Sequence, residues 1–183
     1  DNVTGPYTYL KAVRPNSGSY PINVKEVHKK DYTQKKRFSG GSLPENVDTL
    51  NILGRDIQKG QMARDMNLFV DDDGKAYHIY TSEENSTLHI ALLTDDYLDH
   101  TGIYTRNFPG RFMEAPAIFK NAGKYYLIMS GCTGWRPNQA RSAVAEHILG
   151  EWTELGNPCI EDIKNTTFDS QSTFVIPIKG KKG

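Results

Sequence analysis

Three polar side chains stand at matching places along the chain. Asp65, Glu114 and Gln171 each lie nine residues before a glycine, Gly74, Gly123 and Gly180, and each is followed by an apolar stretch. Two carboxylates and an amide gathered in one confined place are the equipment of acid/base hydrolysis. Burial and a neighbouring negative charge raise one carboxyl's pKa, so that it can donate a proton near neutral pH while its partner stays ionised. A polar residue that opens a strand also has a plain structural use, bonding to the next loop. Three equivalent positions filled by Asp, Glu and Gln favour chemistry for Asp65 and Glu114 and leave Gln171 evenly balanced between the two uses.

The elements that would position these groups are read from an internal repeat. Residues 65–80 and 114–129 match without a gap at an offset of 49. In each, an apolar strand meets an Asx/Gly turn before Gly-Lys (Gly74-Lys75, Gly123-Lys124) and an aromatic-rich second strand follows, which predicts a hairpin. A third copy starts at Gln171, a further 57 residues on, and stops just past its turn. Residues 1–10 align with 146–155, so they are expected to be the last strand of an earlier unit. Repeats of this length with several short strands are the signature of propeller blades. The fold class is therefore all-β, and the sequence reads as an excerpt from a larger radial repeat. It divides into a closing strand (1–10), a basic insertion loop (11–63), a blade (64–111), a second blade (112–165) and the start of a further one (166–183). In a propeller the first strand of every blade lines the central channel, which would bring Asp65, Glu114 and Gln171 to one pocket.

Charge and composition remove other classes. Lys plus Arg and Asp plus Glu are both 22, giving a formal charge of zero, so there is no electrostatic case for nucleic acid or an anionic membrane as the main partner. No apolar run approaches the ~20 residues of a spanning helix. The insertion carries ten Lys or Arg against five acids, most simply a solvated loop rather than a polyanion site. Cys132 and Cys159 match no zinc spacing, and a disulfide between them is the less favoured alternative. Asp71-Asp72-Asp73-Gly74 reads as a hairpin turn, because Ser82 stands where a calcium loop needs its twelfth-position Glu. Trp152 reads as packing, whereas Trp135 is balanced between core packing and an aromatic plate for a sugar face. His78 and His89 read as strand residues of the core. Asn2, Asn85 and Asn165 begin glycosylation triplets, a weak signal. There is no nucleophile elbow and no Gly-rich phosphate loop.

Arg64-Asp65 ahead of Leu68-Phe69-Val70-Asp71-Asp72-Asp73-Gly74-Lys75-Ala76-Tyr77, followed by Met113-Glu114-Ala115-Pro116-Ala117-Ile118-Phe119-Lys120, resembles glycoside hydrolase family 43, the five-bladed β-propeller hydrolases. Met129–Trp135 and Asp169–Thr173 bring it nearest the galactan 1,3-β-galactosidase-like branch. The resemblance implies that Glu114 is the general acid that protonates the departing glycosidic oxygen, and that Asp65 orients and tunes it. It implies inversion, with a base on the opposite face of the sugar. In this branch the resemblance implies a glutamine in place of the family's first-blade Asp, its imidic tautomer being one form that could accept a proton; Gln171 holds that position. Thr133 is implied as a contact to substrate hydroxyls, and Trp135 and Arg64 are the further candidates for substrate binding. The expected function is removal of galactose from β-1,3-linked galactan, with an arabinofuranosidase, a β-xylosidase or a non-catalytic carbohydrate-binding propeller as alternatives. The expected partner is an oligo- or polysaccharide. No cofactor is implied, and a channel ion such as calcium is left open. A polymeric substrate implies a secreted, periplasmic or cell-surface protein. With too few blades to close a ring, the isolated stretch is expected to hydrolyse little or nothing.

Overall fold

A computed structural model describes residues 2–31, 51–178 and 180. It contains two four-stranded antiparallel sheets in chain order. The first comprises β1 (Met66–Val70), β2 (Ala76–Ser82), β3 (Thr87–Leu93) and β4 (His100–Asn107); the second comprises β5 (Met113–Asn121), β6 (Lys124–Gly131), β7 (Arg141–Ala145) and β8 (Thr153–Gly156). Up-and-down sheets of four strands, set one after another, are the blades of a propeller.

Both repeated hairpins form, with registers one residue apart: Phe69 stands opposite Tyr77, whereas Tyr126, the repeat counterpart of Tyr77, stands opposite Phe119 and not opposite Ile118, the counterpart of Phe69. Their turns are possible because Gly74 (φ 82°) and Gly123 (φ 79°) take left-handed backbone without a Cβ penalty. Alternation then sorts the side chains. Tyr77, Ile79, Leu88 and Ile90 of the first sheet pack on Met113, Ile118, Leu127, Met129 and Trp152 of the second, so the core lies between the blades. Burying such side chains is worth roughly 1.5–3 kcal/mol each. A polar staple crosses the same boundary. Asp71, the first residue of the β1–β2 turn, accepts bonds from the Lys120 ammonium (2.6 Å) and the Tyr125 hydroxyl. Burial opposes its ionisation, but these two donors outweigh burial and hold the carboxyl below the usual range.

β5 carries a bulge. Glu114 faces Ser130 and Ala117 faces Ile128, so β5 spends one residue more than β6 between these pairs, with Ala115 at φ 48°. The extra residue resets the alternation. Met113 and Ile118 therefore both reach the core although they differ in parity.

One expectation changes. Residues 11–63 are not simply a solvated loop: the described parts, 11–31 and 51–63, include a 3-10 turn (Glu26–Lys29) and a short helix, α1 (Ile52–Asp56), with Asn16, His28, Ile52, Leu53 and Ile57 buried. They cover the face of the first sheet turned away from the second. Asn16 donates to the Tyr80 hydroxyl (2.9 Å), the Tyr104 hydroxyl donates to Ser19 O (2.9 Å), and Asn23 pairs with the Arg106 backbone in both directions. β2 is consequently buried on both faces. Lys35, Lys36, Arg37, Glu45 and Asp48 lie outside the described residues. Residues 2–10 form no strand, and neither do 171–178, because a strand exists only through a ladder partner and none of the described residues supplies one. The segment after Gln171 is held by side chains instead: the Ser172 hydroxyl donates to Ala115 O (2.6 Å), and Asn67 donates to Thr173 O (2.7 Å). Lys179 and Lys181 of the third hairpin lie outside the described residues.

Cys132 and Cys159 are unbridged. Trp152 is buried, donating its indole N–H to Ile148 O. Among the described residues no helix is long and apolar enough to cross a membrane.

Candidate active site

A cleft of about 650 Å³ opens where the two sheets meet, within the range of small-molecule sites. Asp65, Asn85, Glu114, Cys132, Trp135 and Gln171 are among the residues that line it. Asp65, Glu114 and Cys132 stand at or beside strand ends, Asn85 in the β2–β3 turn, Trp135 in the loop after β6, and Gln171 outside any strand. Asp65 precedes β1 and is locked by main-chain bonds, Thr81 N donating to Asp65 O and Arg64 N to Thr81 O, both at 3.0 Å. Its carboxylate accepts the Ala115 N–H at 3.2 Å. That N–H belongs to the bulge, so the same irregularity that re-aims β5 ties Asp65 to the residue after Glu114.

Glu114 is half-buried at the start of β5. Asn85, in the β2–β3 turn, donates its side-chain N–H to Glu114 Oε1 at 3.1 Å, and Asn85 Oδ1 accepts from the Thr81 hydroxyl at 3.5 Å. The Cys132 thiol is a further neighbour: burial pushes its pKa up, and the hydrogen bond and charge of Glu114 push it further. Ser130, opposite Glu114 in the ladder, accepts the Gln171 side-chain N–H at 2.7 Å. Asp65 and Gln171 thus each reach Glu114 through a single intermediary. Two carboxyl groups and an oriented amide around an open cavity are the side-chain types that acid/base hydrolysis uses.

The rim is formed by the loop after β6. Asn138 pins it, accepting from Gly131 N (2.6 Å) and donating to Gly131 O (2.9 Å) and to the Thr133 hydroxyl (2.8 Å). Thr133 lines the cleft, but its hydroxyl also donates to Arg136 O within the loop. Trp135 is fully exposed at this rim and packs into no core among the described residues. Arg64 does not join the cleft. Its guanidinium lies 3.6 Å from Glu84 and its Nε bonds to Met62 Sδ, because the buried Glu84 carboxylate is the stronger attraction.

Asn85, Cys132 and Arg136 of the lining were not singled out for the site from sequence. Asn85 is buried against Glu114, which is incompatible with the glycan its triplet allowed; Asn2 and Asn165 are exposed. Asp71-Asp72-Asp73 forms a turn and an inter-sheet staple, with Lys120 bridging Asp71 and Asp72. Among the described residues no group of three or more His, Cys, Asp or Glu could hold a metal ion.

Residues 48–167 match the family described as Glycosyl hydrolases family 43. No curated protein matches. Among solved structures, a β-1,3-galactosidase of that family, BT3683, bound to galactodeoxynojirimycin, is 47% identical with a TM-score of 0.86; the match covers 98% of this chain and 53% of that one. An exo-β-1,3-galactanase from Clostridium thermocellum is 44% identical with a TM-score of 0.60, over 69% of this chain and 26% of that one. An exo-β-1,3-galactanase from Phanerochaete chrysosporium, crystallised as a variant with β-1,3-galactotriose, is 33% identical with a TM-score of 0.51, over 53% and 23%. The chain spans about half the length of the first of these structures.

Proposed function

The chain belongs to glycosyl hydrolase family 43, and from that premise we propose that the protein carrying it is an exo-acting, inverting glycosidase that removes galactose from β-1,3-linked galactan. The observation that carries the reading is Glu114, half-buried in a polar cleft, with Asn85 bonded to its carboxylate and Asp65 bonded to the next backbone N–H. The 47% identity to a β-1,3-galactosidase supports the choice of sugar and linkage. Glu114 acts as the general acid on the glycosidic oxygen. Asp65 fixes the backbone that aims it and stays available to sugar hydroxyls. Gln171, its N–H committed to Ser130, directs the attacking water. An amide is a weak base, so that role depends on the hydrogen bonds that orient it. Trp135 offers a flat apolar face to the leaving-group sugar. A polymer substrate that cannot enter cells places the protein outside the cytoplasm.

The test is hydrolysis of β-1,3-galactan by the full-length protein and by its Glu114→Gln variant, with the anomer of the first product followed by NMR. Galactose released with inverted configuration, and a loss of at least about 100-fold in the variant, is the expected result. Release of arabinose or xylose from other glycans instead would overturn the substrate. Absence of hydrolysis from any glycan would overturn the enzyme and leave a binding propeller.

A further inference from the structure

The turn that carries Asn85 is built against local preference. Glu83, Glu84 and Asn85 have φ of 52°, 60° and 67°, three consecutive non-glycine residues in left-handed backbone. Asn tolerates that region; Glu does not favour it. Both glutamates are also buried, Glu83 fully and Glu84 to 9% exposure. Two adjacent carboxylates out of water repel one another and lose hydration, and a well-packed apolar pair would serve stability as well or better. The arrangement needs another reason, and the partners supply it.

Each carboxylate is drawn in its own direction by an arginine from a different segment. Arg106 of β4 grips Glu83 with Nε and one terminal nitrogen, both at 2.7 Å, and His89 adds a bond at 2.9 Å. Arg55 of α1 donates to Glu84 at 2.8 Å and is itself braced by both oxygens of Asp56, at 2.8 and 2.7 Å. The turn between these anchors closes with the Ser86 hydroxyl on Glu83 O (2.7 Å) and points Asn85 at Glu114. We infer that Arg55 and Arg106 are positioning residues: by pairing with Glu84 and Glu83 they clamp the left-handed turn so that Asn85 stays bonded to Glu114. The insertion thereby takes part in the reaction through α1, without touching the cleft. This rests on Glu114 being the acid of the proposed function.

The experiment is a double-mutant cycle in the full-length protein with β-1,3-galactotriose as substrate. The variants are Arg55→Met, Arg55→Lys, Asn85→Ala and Arg55→Met combined with Asn85→Ala; kcat, KM, the pH–rate profile and the melting temperature are measured for each. Displacing a group beside the reacting atoms by about 1 Å can cost up to about 100-fold. Arg55→Met is expected to lower kcat about 10-fold, to move the alkaline limb of the profile in the same direction as Asn85→Ala, and to be largely rescued by Arg55→Lys. In the Asn85→Ala background it is expected to cost less than about 2-fold more, because its effect passes through Asn85. If Arg55→Met loses its fold, Glu84→Gln weakens the same ion pair with a smaller change, together with the longer Arg64 pair, and takes its place in the cycle. Losses that multiply in the double variant, or a loss that follows melting temperature and ignores Arg55→Lys, overturn the inference while leaving the proposed function standing. A parent that releases no galactose overturns both.

Discussion

Glu83→Gln should change how stability depends on pH, in a window that can be calculated. Burial alone would raise the Glu83 pKa, but His89 and Arg106 outweigh it and bring the carboxyl from 4.5 to about 2. A group whose pKa is depressed by folding contributes stability above its unfolded pKa and loses it as pH falls through the folded value. At about 1.4 kcal/mol per unit the contribution is on the order of 3 kcal/mol, complete above pH ~5 and gone near pH 2. His89 acts in a separate window. Burial lowers its pKa against the pull of Glu83, so the folded protein keeps it neutral while the unfolded chain binds a proton below its ordinary value of 6.5. Acidification from pH 7 to pH 5 therefore registers His89, and from pH 5 downward Glu83. The variant also leaves Arg106, almost wholly buried, without its counter-charge, a loss of roughly 3–5 kcal/mol at pH 7. Urea melts of the full-length parent and variant at pH 7, 5 and 3, compared at constant m-value, measure both effects. The variant should start lower and fall less steeply between pH 5 and pH 3. Parallel pH profiles for parent and variant would refute the reasoning, since they would mean that Glu83 is not held ionised by Arg106.

Further outcomes are expected at the staple and at the rim. Asp71→Asn weakens the acceptor shared by Lys120 and Tyr125 across the two sheets and should cost about 1–3 kcal/mol in denaturant melts, a difference that shrinks in acid as the parent's Asp71 is protonated. Trp135→Ala should raise KM for β-1,3-galactotriose roughly 3- to 10-fold with little change in kcat, the worth of one aromatic face; an unchanged KM would remove Trp135 from the substrate path. Asn138→Ala frees the loop from Gly131 to Thr133 and should lower kcat/KM about 10-fold while the melting temperature shifts by only a few degrees.

What could be read from the sequence followed from regularity. The Asp71–Gly74 and Ala122–Gly123 turns announce their hairpins because left-handed backbone needs glycine there, and the alternation of Tyr77, Ile79 and Leu127, Met129 announces the core face. The offset of 49 residues places Asp65 and Glu114 at corresponding strand starts, and both line one cleft. What could not be read depends on partners distant in the chain. Nothing local separates Asn85 from an ordinary turn residue; ion pairs from Arg55 and Arg106, 30 and 21 residues away, set its backbone. Arg64 sits beside Asp65, yet Glu84 draws it out of the cleft. The insertion has no period to detect, because Asn16, Ser19 and Asn23 hold it to the sheet through individual hydrogen bonds.

The bulge in β5 has a consequence for how this segment can vary over generations. Because the additional residue at Ala115 switches the side-chain parity between Met113 and Ile118, the direction of Glu114 is encoded in a count of positions as much as in the identity of any of them. Replacing Ala115 by another residue able to hold left-handed backbone keeps the count. Deleting it forces a choice between the core and the cleft: either Met113 leaves the interior or everything from Ala117 onward slips by one. Drift in spelling is tolerable here and drift in length is not, so insertions and deletions should be far rarer between Met113 and Ile118 than in the connection between β6 and β7.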